Sequence, residues 1–225
     1  MNPNARKNLR CVVALAGLLS LTAALGVGWP RPALADDSAA PAVAEVGRPA
    51  PDFTLKDTDG QSVTLSQVLA GGKTVVLEWF NPDCPFIKRH HLQDKDMNTL
   101  YDQYKDQGVV WFAINSGAAG AEGAGLERNQ KAKADYKIEY PILLDENGSV
   151  GRMYGAKTTP HMFVIRKDGV LIYSGAIDDD PRGNKKDRVN YVQAALVSCA
   201  NGATLETAQT KSYGCSVKYS ATKKI

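Results

Sequence analysis

The sequence predicts an α/β fold with a central mixed sheet, and three patterns carry this prediction. Two long apolar runs, residues 75–80 and 109–114, are typical of buried strands, and the polar helical segment that joins them makes a βαβ unit with parallel strands. Residues 53–65 hold an Asp-Gly pair between two short alternating segments, which indicates an N-terminal β-hairpin. A second hairpin is predicted at residues 161–173, where two strands flank a Lys-Asp-Gly turn.

Cap residues and helical spacing place the remaining elements. Ser66 is expected to cap a short first helix, and Gly108 is expected to end the long helix between the apolar runs. In the last helix, apolar residues from Val189 to Cys199 recur at spacings of three and four and predict one buried face. Helices are predicted at residues 67–70, 85–107, 126–137, 147–154 and 187–199, with a short strand at 140–144. A strand–strand–helix unit therefore closes the domain.

The first 35 residues have the composition of a secretory signal peptide. A basic start precedes an apolar stretch from Cys11 to about Trp29, and small residues precede a cleavage point after Ala35. The alternative is a membrane anchor, because the apolar stretch is nearly long enough to span a bilayer. Residues 36–48 are rich in Ala and Pro and are expected to form a flexible linker. We therefore expect a periplasmic or secreted protein.

Removal of the signal changes the charge of the chain. The first 35 residues hold four of the 27 basic residues and none of the 24 acidic ones, so the net charge falls from +3 to −1. This balance predicts no basic surface, and a nucleic-acid partner is not expected. No later segment has the length and apolar composition of a membrane span, so no membrane association is expected after cleavage.

Cys84 lies where a predicted buried strand is followed by a helix. Asp83 or Cys84 is expected to be the N-cap, with Pro85 in the first turn, where a missing N–H costs little. The unpaired N–H groups and the dipole at a helix N-terminus favour a thiolate there. Cys84 is therefore the candidate redox nucleophile, and the alternative is an inert, buried cysteine.

With these elements in place, the chain resembles the thioredoxin superfamily, in its exported peroxiredoxin-like branch (redoxin, or alkyl hydroperoxide reductase/thiol-specific antioxidant). The segments that carry the resemblance are Trp79 to Pro85 after a strand, Thr159-Pro160 before a strand, and residues 50–55 at the opening hairpin. The resemblance covers about residues 47–199. It implies a thioredoxin-like fold for a domain at 49–200, followed by a tail, 201–225, that carries Cys215.

The resemblance also implies a role for each motif. Cys84 would attack a peroxide oxygen or a disulfide sulfur. Pro160 would be cis and lie against Cys84, while the backbone of Thr159 would pair with an extended substrate. Two positions depart from the family patterns. Ile87 stands where thioredoxins have their second cysteine, and Asn81 stands where peroxiredoxins have Thr or Ser, so its amide would contact the substrate instead.

Both reactions are best completed by a second thiol. Cys215 follows a glycine in a tail with few anchoring residues, and it is the favoured resolving partner of Cys84. Cys199 is expected to be a small apolar residue on its helix. The rival arrangement is a structural Cys199–Cys215 bridge, which would leave Cys84 as a lone thiol.

Other polar residues near these motifs suggest further roles. Lys88, one turn after the nucleophile, is a candidate thiolate stabiliser. His90 and His91 are expected on the helix surface and His161 at the start of a strand, so no metal site is predicted, although metal binding is an alternative. The acidic run at residues 178–180 is expected to form a solvated turn.

The sequence therefore predicts an exported thiol-dependent oxidoreductase of the peroxiredoxin-like type, with Cys84 as nucleophile and Cys215 as resolving thiol. No cofactor is expected. The substrate would be a peroxide or a protein disulfide, and electrons would come from a dithiol protein or a small thiol. Two alternatives remain: a protein-disulfide reductase or isomerase without peroxidase activity, and a non-catalytic module that binds metal or protein.

Overall fold

The computed structural model describes residues 43–221, so the predicted signal peptide and most of the predicted linker lie outside the described residues. Within this range no helix has the length and apolar character that a membrane crossing requires. The described end of the linker is bound to the domain. The amide of Ala44 donates to the Met153 carbonyl at 2.9 Å, and that of Gly47 donates to the Leu171 carbonyl at 2.8 Å. The prediction of a flexible segment is therefore wrong for this end.

Nine strands form two sheets. In chain order, the strands of residues 43–221 are β1 (Thr54–Asp57), β2 (Ser62–Thr64), β3 (Thr74–Trp79), β4 (Val109–Asn115), β5 (Ile142–Leu144), β6 (Thr158–Thr159), β7 (Met162–Ile165), β8 (Leu171–Gly175) and β9 (Cys215–Ser216). Seven of them form one mixed sheet in the spatial order β2-β1-β5-β4-β3-β7-β8, while β6 and β9 form a separate two-stranded sheet. The pairs β3–β4 and β4–β5 are parallel, whereas the other pairs are antiparallel. The predicted mixed sheet, βαβ unit and two hairpins are confirmed.

Helices cover both faces of the large sheet. They are α1 (Leu65–Ala70), α2 (Pro85–Lys88), α3 (Asp96–Tyr104), α4 (Leu126–Asp135), α5 (Ser149–Met153) and α6 (Tyr191–Asn201). Successive side chains of a strand point to opposite faces. Accordingly, Val75 and Leu77 of β3 pack with residues of α1 and α5, while Val76 packs with residues of α3 and α6. The two apolar clusters hold β3 at the centre of the molecule.

The helix predicted at residues 85–107 is broken into several short pieces. A π-helical turn (Arg89–Gln93) follows α2, Lys95 adopts a left-handed conformation with φ 57°, and a 3₁₀ turn (Lys105–Gln107) precedes Gly108. Adjacent residues of a helix point about 100° apart. Burial of both His90 and His91 therefore means that more than one side of the turn is covered. His90 and His91 are 0% and 2% exposed, and the prediction that they lie on the helix surface is wrong.

Two predicted helix starts are also wrong. The N-cap of α1 is Thr64 and not Ser66, whose amide instead donates to the Asp52 carboxylate at 2.8 Å. The last helix begins at Tyr191, so Val189 precedes it and is 50% exposed. The side chain of Asn190 accepts a hydrogen bond from the amide of Gln193 and caps this helix.

Glu78 places a carboxylate inside the central strand. It is fully buried and accepts hydrogen bonds from the Tyr140 hydroxyl at 2.9 Å and the Trp111 indole nitrogen at 3.3 Å. Its other oxygen lies 2.8 Å from Nε2 of His91. A buried carboxylate needs such partners because desolvation without them is costly. This network joins the π-helical turn that follows α2 to the central strand β3.

Candidate active site

Cys84 lies just beyond the carboxyl end of β3 and is the N-cap of α2. Pro85 occupies the first helical position, as predicted, and the Lys88 amide donates to the Cys84 carbonyl at 3.0 Å. The amide of Cys84 in turn donates to the Asn81 carbonyl at 3.1 Å. The side chain is 2% exposed. A short, well-held turn therefore presents the thiol at the edge of the sheet.

The loop before β7 faces Cys84. The Thr159–Pro160 peptide bond is cis, as the family resemblance implies. The carbonyl oxygen of Thr159 lies 3.0 Å from Sγ of Cys84 and accepts its hydrogen bond. The His161 carbonyl accepts from the Trp79 amide at 2.9 Å, which ties this loop to the end of β3. Two segments that are 75 residues apart thus form one side of the site.

Cys215 forms the other side. Its Sγ lies 2.8 Å from Sγ of Cys84, and both residues are free thiols. The strand β9 pairs antiparallel with β6 and places Cys215 directly opposite Thr159. Burial and the hydrogen bond with Cys84 raise the pKa of Cys215 to about 12. Cys215 therefore keeps its proton at neutral pH while it faces the other sulfur.

Gly214 allows this close approach. Its φ is +134°, and a Cβ at this position would lie 2.2 Å from the Thr159 carbonyl oxygen. We expect Gly214→Ala to force β9 away from β6, with a loss of about 1–3 kcal/mol in the free energy of unfolding. The oxidation of Cys84 and Cys215 to a disulfide should slow by about tenfold or more, because the two sulfur atoms separate. The measurement is disulfide formation in a thiol–disulfide buffer, followed by alkylation and mass spectrometry.

The control for this prediction is Gly202→Ala. Gly202 also has a positive φ, +63°, but a Cβ added there would meet no atom of residues 43–221 within 4 Å. This variant carries backbone strain without a collision, so its rate of disulfide formation should equal that of the wild type. Equal rates in the wild type and Gly214→Ala would contradict the prediction.

Residues 213–219, which include Cys215, are held along their length, which corrects the prediction of a segment with few anchors. The amide of Val217 donates to the Lys157 carbonyl at 3.1 Å, and the Lys218 carbonyl accepts from the Ala118 amide at 2.8 Å. The Tyr219 hydroxyl donates to the Ala156 carbonyl at 2.9 Å. Residues 212–219 therefore cross the site between the β6 region and the loop after β4, and we call this segment the strap.

Tyr213 anchors the strap on the side of α2. Its hydroxyl donates to the Asp178 carboxylate and accepts from the Arg89 guanidinium at 3.0 Å. Nε2 of His90 lies 3.1 Å from the same hydroxyl, and the Phe86 ring centroid lies 5.8 Å from that of Tyr213. Burial, followed by the contact with Asp178, raises the pKa of Tyr213 well above its usual value.

This cluster also corrects the prediction for residues 178–180. Asp178 and Asp180 are 1% and 4% exposed and do not form a solvated turn. Asp178 is bound by Tyr213 and by Arg188, whose nitrogen lies 3.4 Å from the second carboxylate oxygen. Asp180 accepts from the amide of Lys185 at 2.9 Å, which closes its loop. The cluster leaves little signal in the sequence because its members come from three distant segments, although the Ser-Tyr-Gly-Cys sequence is a local signal.

The cluster includes a metal-like geometry, since donor atoms of His90, Asp96 and Asp178 lie within 4.8 Å of one another. Arginine side chains already supply positive charge to these groups. Guanidinium nitrogens of Arg188 lie 3.1 Å from Asp96 and 3.4 Å from Asp178. A guanidinium nitrogen of Arg89 also lies 2.9 Å from Nε2 of His90. The positive charges oppose a metal ion here, so the donor set fits an ion-pair network.

Asn81 and Asp83 hold the turn before the nucleophile. The Asn81 side chain accepts from the Asp83 amide at 2.8 Å and donates to the Glu122 carbonyl at 3.0 Å. The guanidinium of Arg128 makes a two-point contact with Asp83, and this hydrogen bond lowers the pKa of the carboxyl group. The half-buried Lys88 contributes to the same shift by its charge. Both polar ends of Asn81 are therefore engaged within the protein.

His161 packs behind the cis-proline and is 7% exposed. The amide of Lys157 donates to its Nδ1 at 3.2 Å, so its Nε2 carries the proton and donates to the Ser174 hydroxyl at 3.3 Å. Burial and, after it, the charge of Lys157 lower the pKa of His161 from 6.5 to about 4. The folded protein therefore keeps this imidazole neutral.

This shift predicts a pH dependence of stability. As the pH falls below about 6.5 the unfolded chain takes up a proton at His161 that the folded chain does not, so stability is lost between about pH 7 and pH 4. The contribution is about 3 kcal/mol. Urea unfolding of the wild type and of His161→Gln across this pH range measures the contribution. The glutamine cannot take up the proton, so the variant should lose less of its free energy of unfolding as the pH falls. The same loss in both proteins would contradict the prediction.

Cys199 lies at the other end of the central strand. It is half-buried, and its thiol forms a hydrogen bond with Thr74 at the start of β3. Burial raises the pKa of this thiol. Cys84 follows the end of β3, which is six residues long, or roughly 20 Å. Because Cys215 lies against Cys84, the structure does not bring together the rival Cys199–Cys215 pair.

Comparisons with known proteins support the family resemblance. A model of the redoxin family matches residues 45–193. Thiol-disulfide oxidoreductase ResA of Geobacillus thermodenitrificans is 31% identical over 164 residues, which cover 73% of this chain and 86% of that protein. The ResA of Halalkalibacterium halodurans is 29% identical over 167 residues, with 74% and 86% covered.

Solved structures share the fold. A hypothetical protein from Sinorhizobium meliloti has a TM-score of 0.71 at 31% identity, covering 79% of this chain and 96% of that one. A Chlorobium tepidum protein assigned as the thiol:disulfide interchange protein DsbE has a TM-score of 0.50 at 27% identity, covering 58% and 84%. These similarities confirm the predicted thioredoxin-like fold.

Proposed function

This chain belongs to the redoxin family, and we propose that it is an exported thiol-disulfide oxidoreductase in which Cys84 attacks a disulfide and Cys215 resolves the product. Relatives are named thiol-disulfide oxidoreductases, which supports this class. The observation that carries the proposal is the contact between the two sulfur atoms, at 2.8 Å, beside the cis-proline loop. A distant cysteine thus takes the position of the local second cysteine that Ile87 replaces.

The reaction proceeds by two exchanges of one sulfur for another. The Cys84 thiolate attacks one sulfur of a substrate disulfide, a bond forms between that sulfur and Sγ of Cys84, and the other substrate sulfur leaves as a thiolate and is protonated. Cys215 then loses its proton and attacks Sγ of Cys84. The Cys84–Cys215 disulfide forms and the second substrate thiol leaves. The substrate gains two electrons, which a dithiol protein or a small thiol later restores to the chain.

The two cysteines differ in the way that these roles need. Cys84 lies at the N-terminus of α2, and Lys88 adds a positive charge one turn later, so we assign the attacking thiolate to Cys84 and a stabilising role to Lys88. The raised pKa of Cys215 keeps its proton in place until the mixed disulfide forms. The Thr159 carbonyl and Pro160 form the platform against which the substrate sulfur is placed.

Disulfide exchange fits this site better than peroxide reduction. A peroxidase holds the peroxide with hydrogen-bond donors near the attacking sulfur, and Asn81 is the residue expected from the sequence to take that role. Its amide group donates to the Glu122 carbonyl and its oxygen accepts from the Asp83 amide. These partners assign Asn81 to the support of the turn, and substrate binding through its side chain would require that both be exchanged.

Rates with two oxidants test the proposal. The fully reduced wild-type protein is mixed with glutathione disulfide or with hydrogen peroxide, and the state of Cys84 is read by alkylation and mass spectrometry. We expect Cys84 to exchange with glutathione disulfide about a hundredfold faster than free glutathione exchanges with the same disulfide. Peroxide should oxidise Cys84 no more than about tenfold faster than a free thiol. Fast peroxide oxidation with slow disulfide exchange would instead assign a thiol peroxidase.

A further inference from the structure

The pocket around Tyr213 is built mostly of groups that the Cys84–Cys215 chemistry does not use. Its polar walls are Asp178, His90 and Arg89, of which Asp178 is 1% and His90 0% exposed. All three contact the Tyr213 hydroxyl. The ring lies against Phe86, and the guanidinium carbon of Arg89 is 5.7 Å from its centroid. The pocket therefore matches a phenol at both its ring and its hydroxyl.

The tyrosine that fills this pocket stands two residues before Cys215, in the segment that leads into β9, and the Gly214 between them has a φ of +134°. That segment pairs with β6 through Cys215 and Thr159, and its glycine lies against the Thr159 carbonyl. Residues 212–219 of the strap are half-buried or exposed, while the pocket walls behind Tyr213 are mostly buried. Release of the strap would therefore uncover a surface whose polar walls are already formed.

A macromolecular substrate and the strap compete for one place. A substrate sulfur bonded to Cys84 must approach to about 2 Å, and Sγ of Cys215 already lies 2.8 Å from Sγ of Cys84. The strap must therefore move when a polypeptide cysteine is joined to Cys84. A segment that replaces it along β6 with the same backbone path, including a glycine at the position of Gly214, carries the side chain two residues before its cysteine to the vacated pocket.

We propose that the Arg89–His90–Asp178 pocket recognises a tyrosine two residues before the reactive cysteine of a partner polypeptide, and that Tyr213 is its displaceable internal occupant. This inference rests on the proposed function, since it concerns the partner of the same nucleophile. The strap is then an internal copy of the substrate, and a partner segment of the Tyr-Gly-Cys type replaces it on β6 and in the pocket.

Activated peptides test the pocket. The probe has the sequence of residues 212–217, Ser-Tyr-Gly-Cys-Ser-Val, with its cysteine joined in a disulfide to a coloured aromatic thiol. Cys84 attacks the peptide sulfur, the peptide–Cys84 disulfide forms, and the aromatic thiolate leaves and reports the rate. Two matched peptides carry Phe or Ala in place of Tyr. The proteins are full-length Cys215→Ser and Cys215→Ser/Tyr213→Ala, and each rate is divided by that with the symmetrical aromatic disulfide.

We expect the double variant to capture the Tyr peptide about tenfold faster than the Ala peptide, with the Phe peptide between them, because the hydroxyl bonds to charged groups. Cys215→Ser should capture the Tyr peptide about tenfold more slowly than the double variant does, since Tyr213 still fills its pocket. Equal rates for the three peptides, or equal capture by the two proteins, would overturn the inference and leave the proposed function intact. Failure of Cys84 to react with the symmetrical disulfide would remove the proposed function as well.

Discussion

Cys84→Ser is expected to abolish disulfide exchange, with a loss of at least about a thousandfold, because the attacking sulfur is removed. Cys215→Ser should stop the reaction one step later. Its Cys84 still attacks, but the sulfur that lies 2.8 Å away in the wild type is absent, so the mixed disulfide with the substrate accumulates. The two variants therefore separate attack from resolution.

The measurement is a quenched reaction with glutathione disulfide, followed by intact mass spectrometry. Cys84→Ser should carry no adduct, Cys215→Ser should carry one glutathione, and the wild type should proceed to an internal disulfide. Cys199→Ser is the matched control, because Cys199 lies by Thr74 at the far end of the central strand and should have no effect on either step. An unchanged rate in Cys84→Ser would overturn the central assignment. Release of product by Cys215→Ser at the wild-type rate would remove Cys215 from the mechanism.

The second large effect is expected at Glu78. Glu78→Ala removes a fully buried carboxylate that bonds with His91, Tyr140 and Trp111. Three polar groups then lose their partner in the interior, and a cavity remains. The loss of one member of such a buried network costs about 3–5 kcal/mol of the free energy of unfolding. Urea unfolding of the reduced protein measures it.

Glu78→Gln is the control for this prediction. The amide is nearly the same size and its oxygen still accepts from the hydroxyl of Tyr140, so we expect a smaller loss of about 1–2 kcal/mol. Equal losses for the two substitutions would indicate that the bonding pattern around the carboxylate is not what stabilises the fold. A loss below about 1 kcal/mol in Glu78→Ala would contradict the prediction outright.

Local patterns were sufficient where the physical cause is local. The two apolar runs became β3 and β4, the Asp-Gly turn joined β1 to β2, and Cys84 stands at a helix start with Pro85 in the first turn. Strand periodicity, turn chemistry and proline geometry each act over a few residues, so the sequence carries them directly.

Predictions failed where distant groups changed what a residue does. His90 and His91 look like polar residues of a surface helix, yet Asp96 and Glu78 bind them in the interior and the helix widens into a π-turn. Asp178 likewise looks solvated but is bound by Tyr213 and Arg188. Charged residues are buried only with partners, and partners that come from other segments leave no periodic signal in the sequence.

The sequence by itself determined the class of fold and the nucleophile candidate, because each depends on neighbouring residues, and the family resemblance supplied the cis-proline loop opposite that nucleophile. It also indicated that a second sulfur had to come from elsewhere, since Ile87 stands in the local position. Only the tertiary structure shows which sulfur lies beside Cys84. The pairing of β9 with β6, the space left by Gly214 and the anchoring of Tyr213 bring Cys215 across 131 residues to Cys84. Such long-range contacts arise from the packing of the whole domain, and no stretch of the tail encodes them alone.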